Sequence, residues 1–142
     1  MAERRRVAIT GIGMVTPAGN DVASTWDSLL AARSCAALIR SFDASGFPTR
    51  IAAEVKGFDA ERVIGDRKLL KSANRAHRFA LAAAEQAFAD AGVRPTAETA
   101  ERWGCIVGTG MMGVTFDELA AVHRLAASAG ELDPGKLLTG DG

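Results

Sequence analysis

The chain has 142 residues, 48% of them hydrophobic and 24% charged, with 17 Lys+Arg balanced against 17 Asp+Glu. This composition predicts one compact folded core and excludes a disordered chain, and a formal net charge of zero excludes a global attraction to nucleic acid. The longest apolar runs fall far below the roughly 18 residues that cross a bilayer, and the opening MAERRRVAIT lacks the apolar centre and cleavage site of a signal peptide, so a cytoplasmic chain without a membrane partner is expected.

Residues 5–10 carry a Val-Ile strand. Asn20 or Asp21 then caps a helix over 22–32 in which Val22, Trp26, Leu29 and Leu30 share one face, read as the core face. Residues 33–50 read as loop, punctuated by Ser34, Asp43, Gly46 and Pro48, before a short alternating strand at 50–55. The stretch DAERVIG suits a short helix capped by Asp59. The longest helix is expected over 72–91, with Ala76, Phe79, Ala80, Ala83, Ala84, Ala87 and Phe88 at core spacing and Gly92 as its stop. So many alanines imply close contact with another backbone, and small apolar surface all round implies burial on both sides. A last strand at 103–108 precedes a helix at about 115–128, and GELDPGKLLTGDG closes the chain with little core. Alternation of this kind predicts an α/β layered fold with a largely parallel sheet.

Cys35 and Cys105 form neither a disulfide framework nor metal spacing, and His77 and His123 are too isolated to make a ligand cluster, so no metal is predicted. Cys105, within WGCIVG, reads as a small buried hydrophobe, and Cys35 as the more exposed thiol, with no pattern that marks either as a nucleophile.

Two glycine loops follow strand-like runs: VAITGIGMVTPAG, and WGCIVGTGMMGV with a literal G-x-G-x-x-G from Gly108 to Gly113. A dinucleotide fingerprint needs an acidic residue roughly 20 positions on, at the end of the next strand, to hold the ribose. Counting on from Gly113 reaches Asp133 in ELDPG, which is no strand, and from Gly13 reaches Arg33, of the wrong charge. Pro17 and Gly19 also delay the first helix, so its N-terminus does not follow the glycines directly as phosphate binding requires. The glycines are therefore expected to permit close backbone approach, and no cofactor is predicted.

Five separated blocks are more specific than either loop. RRVAITGIGMVTPAGNDVASTWDSLLAARS, FDASGFPTRIAAEV, DRK, HRFALAAAEQAFADAG and WGCIVGTGMMG stand in the order and spacing of the amino-terminal part of β-ketoacyl-[acyl carrier protein] synthases, over about residues 4–125. The resemblance is strongest to the elongating ketosynthases of fatty acid synthesis and the type II polyketide ketosynthases. It implies the amino-terminal half of a thiolase-like fold, layered α/β with a mixed, largely parallel sheet, in a protein that pairs as a homodimer or heterodimer. Residues 1–142 are then one amino-terminal ketosynthase subdomain, expected to stop before the nucleophilic cysteine and to be completed by the remainder of the same enzyme. The family condenses an acyl primer with malonyl-acyl carrier protein through that cysteine and two later histidines, none of which has a counterpart here, so the segment alone is expected to be inactive.

The resemblance also implies two sites. Met111, just after the GTG turn, corresponds to a gate at the acyl pocket, with Gly110, Met112 and Gly113 beside it; an ordinary core methionine is the other reading of that position. Met112 departs from the family, which commonly has a small residue there. Arg67, Lys68 and Lys71 fall in the stretch that contacts the acidic helix of acyl carrier protein, and they read equally as a solvated helix face. Ser72 and the stretch SANRA depart from the family's basic residue and Met-Asp-Arg-Phe. A chain-length factor, the family's partner subunit without a working cysteine, keeps this whole segment, and a non-catalytic small α/β binding module is the remaining alternative.

Overall fold

The structure is a computed structural model and describes residues 6–110 and 116–129. The chain divides into two compact units, Met1–Thr109 and Gly110–Gly142.

The first unit opens with extended residues and a tight turn, in which Thr16 and Gly19 exchange backbone hydrogen bonds of 2.8 and 3.2 Å. Helix α1 spans Val22–Leu30, and its N-cap is Asp21, whose carboxylate accepts from the Ser24 amide at 2.7 Å. Its orientation reverses the expectation from the apolar stripe. The buried residues are Thr25 and Ser28, while Trp26 is 59% exposed and Leu29 and Leu30 are exposed as well. The carbonyls of the preceding turn explain the reversal: Ser28 Oγ donates to Ala18 O at 2.7 Å and Thr25 Oγ1 to Gly19 O at 3.3 Å.

Strands β1 (Ala36–Leu38) and β2 (Ile51–Ala53) pair antiparallel with Ala37 opposite Ala52. Strand β1 lies inside the stretch read as loop, where only the short apolar run Ala36–Ile39 signals it. The Glu54 carboxylate, just after β2, ties down the chain that leaves β1 by accepting the amides of Arg40 and Ser41, both at 3.1 Å. Among the described residues this two-stranded antiparallel ladder is the whole sheet, so the largely parallel sheet is not formed here. Residues 6–10 and 103–108, expected as strands, have no ladder, with Val7 93% and Ile106 100% exposed. A central parallel strand draws its backbone hydrogen bonds from neighbours on both sides, and the described residues supply none. Cys105 is accordingly exposed and Cys35 half-buried, the reverse of the expected order.

Helix α2, Ala60–Ile64, is capped by Asp59 as expected. The helix expected over 72–91 forms over Arg75–Ala91, three residues late, and a separate short helix precedes it. Helix α3 spans Arg67–Ser72 and α4 spans Arg75–Ala91, broken where Ala73 is extended and the Asn74 side chain caps α4 by accepting the His77 amide at 2.9 Å. Gly92 ends α4 at φ +67°, a left-handed conformation that costs a residue with a side chain free energy. Its core face is rotated from the predicted one: Ala82 is fully buried, while Ala76, Ala80 and Ala84 are exposed.

The close backbone contact expected from the alanines is present. Residues 11–14 cross α4 so tightly that a Cβ on Gly11 would strike the Ala87 carbonyl and one on Gly13 the Ala83 carbonyl. Two side chains of α4 receive the loop's amides, Ile12 N–H donating to Asp90 Oδ2 and Met14 N–H to Gln86 Oε1, both at 3.0 Å. Gln86 Nε2 in turn donates to Asn20 O at 2.8 Å, tying the loop to the start of α1.

The second unit contains α5, Phe116–Ala129, one residue from its expected place, with Asp117 and Glu118 in the first turn where the helix dipole favours acids. No helix among the described residues is long and apolar enough to cross a membrane.

Candidate functional site

Helix α3 is six residues long, and its ends and one buried side chain hold it in place. Asp66 caps it, Oδ1 accepting from the amides of Lys68 at 2.9 Å and Leu69 at 3.0 Å. Leu70 turns inward and is 5% exposed. Arg67, Lys68 and Lys71 are exposed, and at 100° per residue they fall within an arc of about 100° on the helix surface. The structure therefore brings the three sequence-chosen cations onto one face. Arg67 also reaches Glu61 of α2 at 3.2 Å, an exposed pair worth about 0–1 kcal/mol, which leaves the charge of the face largely available to a partner.

The two glycine loops differ. In the first, the amides of Ile12 and Met14 are already donated to α4 side chains, and the glycines serve close packing. In the second, Gly108 and Gly110 are exposed with open space where a Cβ would stand. Met111, Met112 and Gly113 lie outside the described residues, so the acyl-pocket set is not assembled here.

A shallow apolar hollow of about 220 Å³ lies between residues 10–11, the Ala84–Ala91 side of α4 and Trp103. Trp103 packs on Phe88 with ring centroids 5.8 Å apart, and the Arg94 guanidinium covers the Phe88 ring at 5.6 Å while pairing with Glu85 at 2.6 Å. Among the described residues, none of the sequence-chosen site residues lines this hollow.

Sequence reasoning missed two arginines on the first turns of α4. Arg78 donates through Nε to Ala73 O at 2.9 Å and through Nη2 to Leu70 O at 3.0 Å. Arg75 donates to Val55 O at 2.9 Å and lies over the Phe79 ring at 5.2 Å, which itself packs edge-on against Phe58. A signal was present: cations at a helix N-terminus oppose its dipole, so a pair there, directly after the Asn74 cap, calls for another use.

The profile of the "Beta-ketoacyl synthase, N-terminal domain" matches residues 4–135. The chain is 43% identical over 116 residues to 3-oxoacyl-[acyl-carrier-protein] synthase 2 of Coxiella burnetii, covering 82% of this chain and 28% of that protein. It is 39% identical over 115 residues to the synthase of the same name from Vibrio cholerae, covering 81% of this chain and again 28% of the relative. Among solved structures, the ishigamide ketosynthase/chain length factor superposes with a TM-score of 0.70 at 32% identity, over 93% of this chain and 33% of that one. The chain thus spans less than a third of the length of the proteins it matches and shares their mixed helix-and-strand fold over that part. It belongs to the beta-ketoacyl synthase family, in which it corresponds to the N-terminal domain.

Proposed function

We propose that this chain is the amino-terminal part of a β-ketoacyl-[acyl carrier protein] synthase, and that the exposed face of α3 receives the carrier protein. The reaction is a decarboxylative Claisen condensation: malonyl-acyl carrier protein loses carbon dioxide to give a carbanion, which attacks the carbonyl of an acyl primer held as a thioester, forming the new carbon–carbon bond as the primer's C–S bond breaks and the thiolate that held it leaves. The observation that carries this reading is the family match across residues 4–135, at 43% identity to a synthase named for the 3-oxoacyl-[acyl-carrier-protein] that such a condensation makes. Within the parent enzyme the chain supplies one amino-terminal thiolase-like layer set, with residues 6–10 and 103–108 as strands of a larger sheet. The remainder of the enzyme supplies the nucleophilic cysteine and the histidines, and a ketosynthase-like subunit completes a homodimer or heterodimer. A second reading, in which this chain comes from the non-condensing partner, is equally compatible with the solved neighbour, named as a ketosynthase/chain length factor.

Lys68 and Lys71 suit a transient acidic partner, because point charges on flexible stems speed encounter without prolonging residence. Reversing both charges in the complete enzyme is expected to raise KM for carrier-bound substrate about tenfold while leaving turnover of short carrier-free thioesters unchanged, an effect that added salt imitates. Equal loss with both substrates would make the face structural.

A further inference from the structure

Helix α3 is too short to hold itself together. Six residues make fewer than two turns, far below the length at which an isolated helix persists in water. Its N-terminus is capped by Asp66, and its C-terminal carbonyls need partners that the helix itself cannot supply. Arg78 reaches back from α4 to meet this need. One guanidinium takes both Leu70 O, in the last turn, and Ala73 O, at the C-cap, and this part-buried contact brings positive charge to the negative end of the α3 dipole. A planar fork spans two carbonyls three residues apart, which a lysine ammonium on a single stem does not reproduce. Leu70 pins the same turn inward, so the azimuth of the helix, and with it the direction in which Lys68 and Lys71 project, is set by one buried leucine and one arginine.

We propose that Arg78 is a positioning residue for carrier-protein docking: it clamps the C-terminus of α3 so that Lys68 and Lys71 present one fixed cationic face. This rests on the docking reading given above.

The test compares Arg78→Met and Arg78→Lys in the complete parent enzyme with Arg94→Met, which removes an equal charge from the same unit but touches Glu85 and Phe88 rather than α3. Holo-acyl carrier protein is the probe. Its association rate is measured at low and raised salt, alongside amide hydrogen exchange. Both Arg78 variants are expected to exchange α3 amides about tenfold faster while those in the middle of α4 keep their protection. They are also expected to associate several-fold more slowly at low salt with a flatter salt dependence. A merely destabilised chain would bind in smaller amount at an unchanged salt slope. Arg94→Met should leave association and α3 exchange as they are.

If Arg78→Lys matches the unaltered chain in both readouts, the clamp is not a fork and the proposal is overturned. If charge reversal at Lys68 and Lys71 slows association while Arg78→Met does not, the proposal alone fails and docking at α3 stands. If charge reversal itself has no effect, the docking reading fails and the proposal falls with it.

Discussion

Replacing Gly13 by alanine tests the seating of the glycine loop on α4. The new Cβ would fall on the Ala83 carbonyl, with Gln86 Cβ 2.8 Å away, so the obstruction is helix backbone that has no rotamer to change. Overpacking of this kind costs about 1–3 kcal/mol. Lifting the loop also breaks the 3.0 Å bond from Met14 N–H to Gln86 Oε1, whose loss costs about 1 kcal/mol more. Against this, alanine restricts the unfolded chain and returns about 0.4–1 kcal/mol. The net expectation is a destabilisation of about 2 kcal/mol, which in a chain of this size lowers Tm by about 8 °C. Urea titration followed by fluorescence suits the measurement, because Trp103 sits on Phe88 of the same helix. The control is Gly46→Ala, where a Cβ meets nothing within 4 Å and the change should stay within about 0.5 kcal/mol. Because the overlap is with backbone, trimming Ala83 to glycine should not restore stability. A Gly13→Ala chain as stable as the Gly46→Ala control would refute the packing argument and reopen the loop to another role.

Removing the α1 cap, Asp21→Ala, should cost about 1 kcal/mol, seen in chemical denaturation. The Ser24 hydroxyl and amide hold the Asp21 carboxyl below its ordinary value of 3.8, so its contribution is present above that pH and fades as the pH falls through the lowered value; Asp21→Asn should remove that acid-side loss in a pH series of melts. Incubating the chain with an acyl-carrier thioester should leave its intact mass unchanged, and a stoichiometric, hydroxylamine-sensitive adduct on Cys35 or Cys105 would overturn the view that the nucleophile lies elsewhere in the parent enzyme. In that enzyme Met111→Phe should spare short primers and reject long ones, because a ring fills space that several methylenes need; uniform loss across chain lengths would indicate misfolding, and an unchanged profile would remove Met111 from the pocket.

What the sequence determined by itself is local or compositional. Caps and stops were legible because a side chain acts on amides two or three residues away: Asp21, Asp59 and Gly92 stand where the residue types place them. The small residues facing each other at Gly11, Gly13, Ala83 and Ala87 announced a close backbone crossing, and five blocks in fixed order announced the family. The cations Arg67, Lys68 and Lys71 were picked out through their place in the family resemblance, their spacing showing only that they fall within two turns of one another.

Tertiary structure decided what depends on distant partners. The stripe Val22, Trp26, Leu29 and Leu30 has perfect helical spacing, yet α1 turns Thr25 and Ser28 inward because the carbonyls of residues 18 and 19 must be satisfied. Residues 103–108 have strand composition, but a strand exists only where another chain segment accepts its hydrogen bonds. Asn74 moved the start of the expected long helix from residue 72 to Arg75 because its side chain caps α4. Arg78 became legible as a clamp only when folding brought its guanidinium within 3.0 Å of a carbonyl eight residues back, on the preceding helix.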